Sequence, residues 1–283
     1  MEQDTQPNIS FFKSWWFWLI VLVILVFCVW ATSGILKDKK SANEGNQQQS
    51  QEKKSINEPT AFQWPSSTAK YITASPVDLS QIQGLSKYRS CAGHVRDGYN
   101  FNQELENDRS MKHYFYPILA YQGTLDKVKL FSPVDGEITY IDYEKDKVGG
   151  RPQNGGGLHI SPTMDKNASV VLGHIYTVKD YMVGDMVNAG ELVGYASLGE
   201  KGFDFDVDLS TQGGTGAYNG REVLGSIFDH MTPEVLSEFA KYGITPENTK
   251  FTKEYRDAHT CNYPEPGPEH SGRDNSDWVQ LTH

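Results

Sequence analysis

Three aspartates, Asp204, Asp206 and Asp208, alternate with Phe205, Val207 and Leu209. In an extended strand, side chains two apart leave by the same face, so the three carboxylates converge. Like charges so placed repel unless a cation or solvent relieves them. An oxygen-only set suits Ca²⁺, Mg²⁺ or Mn²⁺. The competing reading is a solvated acidic face, with Phe203, Phe205, Val207 and Leu209 packed beneath it. Histidines supply the softer donors that zinc prefers. His94 and His113 can meet His159 or His174 in space and build a nonstandard site, with Asp204 or Asp206 as carboxylate partners. Other chemistries lack their signatures. There is no Gly-x-Ser-x-Gly elbow and no His-Glu-x-x-His helix. Gly155-Gly156-Gly157 lacks the helix and lysine of a phosphate loop and reads as a hairpin turn.

Two further reactive side chains, Cys91 and Cys261, stand 170 residues apart. In an exported chain they are expected to form a disulfide that ties the start of the folded region to its tail. In a cytosolic chain they are two free thiols.

The elements that position these groups are mainly strands. Short alternating runs broken by glycine and proline predict strands at Val128–Phe131, Gly136–Tyr143, Gly157–Ile160, Ala168–His174, Leu192–Ser197 and Phe203–Leu209. Few helical stripes interrupt them, which implies a mainly β fold with an antiparallel core. Asp135-Gly136-Glu137-Ile138 and Ala189-Gly190-Glu191-Leu192 echo each other 54 residues apart, each a glycine turn feeding a strand. Later the pattern turns helical. Arg221–Met231 carries Val223, Leu224, Ile227 and Phe228 at helical spacing. Thr232-Pro233-Glu234 opens a helix that Gly243 stops, and Thr245-Pro246-Glu247 repeats the start signal. Trp278-Val279-Gln280-Leu281 reads as a last strand.

The chain has 283 residues and a net charge of −10, with a pI of about 5.3. An acidic chain of this kind lacks the basic face of a nucleic-acid binder. Its mean hydropathy of −0.53 excludes a multi-span membrane protein. One segment departs from that mean. Residues 14–36 are 23 uncharged, mostly apolar positions, with Trp15, Trp16, Trp18 and Trp30 toward the ends. That is enough to span a bilayer once, with tryptophans at both interfaces. Residues 1–13 are a short leader. A cleaved signal peptide, with Ala31-Thr32-Ser33 as its cleavage site, competes with the anchor; the weakly basic leader favours the anchor. Residues 37–64 form a polar linker, and 65–283 the folded domain. Lys37, Lys39 and Lys40 favour a cytoplasmic C-terminal part, whereas the cysteine pair favours export. The expectation is a single-pass cell-membrane protein with an extracytoplasmic domain.

Phe131-Ser132-Pro133-Val134-Asp135-Gly136-Glu137-Ile138, Val171-Leu172-Gly173-His174-Ile175 and the run from Val183 to Gly194 together resemble the lysostaphin-type metallopeptidases that cleave peptidoglycan cross-links. More broadly they resemble the duplicated hybrid motif, or barrel-sandwich hybrid, fold. The resemblance covers about residues 116–209, with 221–283 as a helical extension. It implies zinc held by a His-x-x-x-Asp pair and by the second histidine of a His-x-His strand. By position the latter corresponds to Asp204-Phe205-Asp206, and His113 is the nearest first ligand, with Pro117 where aspartate is required. His174 matches the active-site histidine of the remaining strand. The candidate metal residues are therefore His113, His159, Asp204 and Asp206, with His174 as candidate catalytic group and Zn²⁺ or another divalent cation as cofactor. With so many ligands changed, the favoured expectation is a non-catalytic binding or scaffolding domain at the cell envelope, taking a cell-wall glycan or peptide or an envelope protein as partner. The alternative is a metal-dependent peptidoglycan hydrolase with a nonstandard site.

Overall fold

Every residue of the strand Phe205–Thr211 is buried, the aspartates as well as the apolar residues between them. Both faces of this strand are covered, and the fold follows from how that is done. The computed structural model describes residues 61–142, 147–148, 151–152, 156–198, 204–214, 216–262 and 276–283, all within one unit, Pro59–His283. The expected leader, the membrane segment 14–36 and the linker up to residue 60 lie outside the described residues. Among the described residues no helix is long and apolar enough to cross a membrane. Phe62 and Trp64, at the end of the expected linker, pack on Tyr218 with ring centroids 5.2 and 4.7 Å away.

The strands are β1 (Ile82–Ser86), β2 (Gly98–Asn100), β3 (Leu105–Glu106), β4 (His113–Pro117), β5 (Lys129–Phe131), β6 (Gly136–Asp142), β7 (Lys147–Val148) and β8 (Arg151–Pro152). They continue with β9 (Gly156–Pro162), β10 (Ala168–Thr177), β11 (Met186–Val187), β12 (Leu192–Ala196), β13 (Phe205–Thr211), β14 (Glu222–Gly225) and β15 (Trp278–Gln280). Two short helices, α1 (Pro233–Ala240) and α2 (Lys253–Ala258), follow β14. Thirteen of these strands form one sheet whose main path runs β11-β6-β9-β10-β13-β14-β2-β3. Strand β4 joins β13 to β1, which carries β15, and β12 joins β10 to β5. The fold is mainly β with few short helices, as the strand pattern implies. One pair departs from the antiparallel expectation: β14 lies parallel to β2. Parallel neighbours need a long crossover, and most of the domain intervenes between these two.

The echoing segments meet. Met186 and Val187 pair with Glu137 and Gly136, Ala189 donates its N–H to the Asp135 carboxylate at 2.8 Å, and Gly190 donates to the Ser132 carbonyl at 2.8 Å.

Two helical expectations fail. Val223 and Leu224 lie in β14, between β13 and β2, because a short apolar run satisfies helical and strand spacing equally until neighbouring strands claim its backbone. Thr245-Pro246-Glu247 makes a turn, closed by Asn248, whose Oδ1 accepts from the Thr245 N–H and whose own N–H donates to the Thr245 carbonyl. The helix starts later, at Thr252, whose hydroxyl accepts from the Tyr255 N–H. The Thr232-Pro233 start and the Trp278 strand are present as read.

The core lies on the apolar face of the central strands. Phe205, Val207 and Leu209 pack with Leu158, Ile160, Val170, Leu172 and Phe115. Phe115 stacks on Phe205, with centroids 5.7 Å apart. Each such side chain, fully buried, contributes about 1.5–3 kcal/mol. The pairing registers then decide what faces the other way.

Candidate functional site

Strand β13 pairs with β4 so that Val207 stands opposite His113 and Asp206 opposite Tyr114. Because side chains alternate, His113 goes to the core face with Val207. Lys112 and Tyr114 go to the polar face with Asp206 and Asp208. On the other side Asp208 stands opposite Val171, which in turn stands opposite His159. His159 therefore shares the polar face, two strand spacings or about 10 Å away.

Asp206 and Asp208 are nearly inaccessible, so the solvated acidic face is not what forms. Their charges are met by cations from the same chain. The Lys112 ammonium lies 3.1 Å from Asp206 Oδ2, and the Arg96 guanidinium lies 3.1 Å from Asp208 Oδ2 while also bonding Glu222. Burial pushes the Asp206 carboxyl upward, but the Lys112 ammonium and His174 outweigh it and hold the group below the ordinary carboxylate range. Asp208 is pushed up to about 6 by burial, against the pull of Arg96 and Lys112. Burial disfavours charged Lys112 and Arg96, yet the surrounding carboxylates hold both above their ordinary values. Asp208 Oδ1 and Glu222 Oε1 are buried without a hydrogen-bond partner.

His174 completes the group. It follows Gly173 in a stretch of β10 where the register with β9 shifts between Leu172 and Ile175. Such an irregularity re-aims side chains. A Cβ at Gly173 would stand 2.3 Å from Asp206 Oδ1, so only glycine lets the carboxylate rest there. His174 has a φ of 55°, a left-handed conformation that costs a non-glycine residue roughly 1–2 kcal/mol. Its Nε2 lies 3.5 Å from Asp206 Oδ2, and its side chain is 43% exposed. It is the most exposed member of this charge cluster, ahead of Arg96 at 29%.

The remaining expected site residues go elsewhere. His113 is fully buried, with Nδ1 2.9 Å from the Ser86 carbonyl and Nε2 3.0 Å from the Ser226 hydroxyl. Burial holds its pKa down at about 4. The His159 ring packs edge-on against Tyr140 with centroids 4.9 Å apart, and burial together with the positive charge of Arg96 holds its pKa at about 4. Asp204 precedes β13 and is half-buried. Cys91 and Cys261 form the expected disulfide.

The donor set does not fit the zinc that the resemblance implies. A zinc site needs three protein ligands and an open position. Beside Asp206 and Asp208 those positions are filled by an ammonium and a guanidinium. Both ring nitrogens of His113 are engaged on the opposite face of the sheet. Among the described residues no group of three or more His, Cys, Asp or Glu side chains is placed to hold a metal ion. His174 and Asp206, which the sequence groups with His113, His159 and Asp204, lie side by side; Lys112, Arg96 and Glu222 are not among the expected site residues. Lys112 stands one residue before His113, and strand parity alone exchanges their places.

No family model matches the chain, and no curated protein does. Solved structures that match part of the chain include lysostaphin, with 14% identity over 45% of this chain and a TM-score of 0.28. The catalytic domain of the prophage-encoded protein EnpA from Enterococcus faecalis matches with 18% identity over 56% of this chain and 95% of its own length, at a TM-score of 0.30. Helicobacter pylori Csd3 matches with 12% identity over 67% of this chain and 39% of its own length, at a TM-score of 0.32. The match spans 49% of the lysostaphin chain.

Proposed function

We propose that this chain is a membrane-anchored binding domain of the cell envelope, extracytoplasmic and held by residues 14–36, that takes a peptidoglycan glycan or peptide as ligand without a metal. One observation carries the metal-free part of the reading. Lys112 and Arg96 stand as cations among Asp206, Asp208 and Glu222, where a metal site would need open positions. The ligand side rests on His174, a strained and exposed residue seated on a buried carboxylate. Strained backbone tends to cluster at functional sites, and of the five described non-glycine residues with positive φ, His174 is the one beside the Asp206 cluster.

The test uses the full chain purified in detergent. Elemental analysis is expected to find no stoichiometric zinc, manganese or calcium. Intact peptidoglycan sacculi are expected to co-sediment the protein without releasing soluble fragments, and His174→Ala is expected to lose that retention. Stoichiometric metal that is lost in Asp206→Ala, or soluble fragments released by the wild type but not by His174→Ala, establishes the second reading, a metal-dependent peptidoglycan hydrolase. What favours that second reading is the exposed His174 imidazole beside the Asp206 carboxylate, a pairing that also serves proton transfer. Protection of the domain from protease added outside cells with a sealed cytoplasmic membrane overturns the extracytoplasmic placement.

A further inference from the structure

We propose that the Cys91–Cys261 disulfide is a thiol–disulfide exchange site for a dithiol partner, attacked at Cys261 with Cys91 as the leaving thiolate. Its two sulfurs sit in different surroundings. Arg256 is buried in α2 and donates from Nη1 to Cys91 Sγ at 2.8 Å. Three more of its N–H groups are held by the Arg89 carbonyl, the His259 carbonyl and the Asp277 carboxylate. The guanidinium is thereby fixed on Cys91. Among the described residues Cys261 Sγ has a long contact, 3.7 Å, to the Ser90 carbonyl, and a carbonyl oxygen does not stabilise negative charge on sulfur.

A positive group beside a cysteine lowers its pKa, and the sulfur with the lower pKa leaves faster in exchange. Among the described residues the charged and titratable groups around Arg256 and Cys91 are Asp277, Arg89 and His259. Asp277 lies across the guanidinium at Nη2, 2.8 Å away, and offsets part of its charge. Arg89 directs its side chain to Glu106. His259 caps α2 and presents its carbonyl to Arg256. Arg256 is the cation in contact with the sulfur. Both cysteines are half-buried, and Cys261 lies beside the exposed residues Asp257, Ala258, His259, Thr260 and Asn262.

The step balances with a dithiol as reductant. One thiolate of the partner attacks Cys261 Sγ, the S–S bond breaks, and the electron pair moves to Cys91 Sγ beside Arg256. The partner's second thiol, as thiolate, displaces Cys261, which takes up a proton as a thiol. The partner leaves as a disulfide, two electrons having passed to the protein. After opening, residues 276–283 are still held by the Arg256–Asp277 ion pair and by the pairing of β15 with β1.

The test uses the full chain in detergent, reduced with dithiothreitol and alkylated with iodoacetamide over a range of pH. Peptide mapping by mass spectrometry separates Cys91 and Cys261 from Cys28. The Cys91 alkylation rate is expected to have its midpoint below about 7.5, at least one pH unit below that of Cys261, against about 8.5 for a free thiol. Arg256→Lys keeps the low midpoint, and Arg256→Gln raises it toward the free-thiol value. Oxidised wild-type protein treated with a monothiol is expected to carry the mixed disulfide on Cys261 at least tenfold over Cys91. A Cys91 midpoint at or above that of Cys261, or a mixed disulfide mainly on Cys91, overturns the proposal, and neither readout requires the Arg256→Gln variant to fold. No outcome depends on peptidoglycan binding.

Discussion

Glu106 and Asp208 are both buried carboxylates held by arginine, yet their second oxygens fare differently. Glu106 Oε2 accepts from Arg89 at 2.7 Å and Arg109 at 3.0 Å, while Oε1 accepts from Arg89 at 2.7 Å and Asn100 at 2.8 Å. Asp208 meets Arg96 through one oxygen and leaves the other without a hydrogen bond, as Glu222 also does. The first arrangement has four donors for one anion and leaves neither carboxylate oxygen unmet, while Arg109 reaches on to the exposed Asp257. It locks β3 to the segment that precedes β2. The second brings three carboxylates to two cations and ends at half-exposed His174. An unsatisfied buried oxygen costs about 1–3 kcal/mol, so this second cluster is not optimised for stability. That contrast is what marks it as the functional candidate.

The comparison breaks most readily at its satisfied end. Glu106→Ala is expected to lose about 3 kcal/mol of unfolding free energy, because it takes the carboxylate partner from the largely buried Arg89 guanidinium and leaves Arg109 with Asp257 alone. Urea denaturation measures this, and a loss under about 1 kcal/mol, the range of surface pairs, would remove the distinction between the two clusters. Lys112→Met comes next, at about 3 kcal/mol, since it leaves Asp206 charged and buried. Its deficit should shrink as pH falls and Asp206 takes up a proton; a deficit that is constant with pH would show that lost packing, not lost charge, is responsible.

The third expectation concerns pH and the core face. His113 titrates near 4 in the folded chain and near 6.5 when unfolded. The unfolded chain therefore binds the extra proton first. Stability is complete above pH 6.5 and falls as pH drops toward 4, by up to about 3 kcal/mol for this one residue. His159 shifts in the same direction. Thermal unfolding across that range checks it, and the slope should be shallower in His113→Asn.

The smallest effects belong to the strained end. Asp208→Asn should be neutral or stabilising at pH 8, because folding raises the Asp208 pKa and its ionised form is penalised once pH exceeds about 6. His174→Gly should gain up to about 1 kcal/mol by relieving the left-handed backbone while abolishing retention on sacculi. Loss of stability in His174→Gly would instead assign His174 a structural role.

Much of the strand plan could be read from residues. Alternation and glycine turns located β5, β6, β9, β10, β12 and β13 to within a few residues, because each strand's side-chain pattern is local. Val223 and Leu224 could not be placed, since two apolar neighbours fit helix and strand alike until β13 and β2 supply backbone partners. The acidic stripe was legible as a stripe. Its burial was not, because nothing near residues 204–208 in sequence indicates that Lys112 and Arg96 come to rest on it.

What the chain determined by itself was periodicity: which residues share a face, where turns interrupt them, and that Cys91 and Cys261 are a candidate pair. Tertiary structure alone decided pairing register. A shift of one residue between β4 and β13 would exchange His113 for Lys112 beside Asp206. That register is set by the burial of Phe115, Phe205 and Val207 on the other side of the sheet. The apolar face thus chose the partners of the charged one, and with them a cluster closed by its own cations.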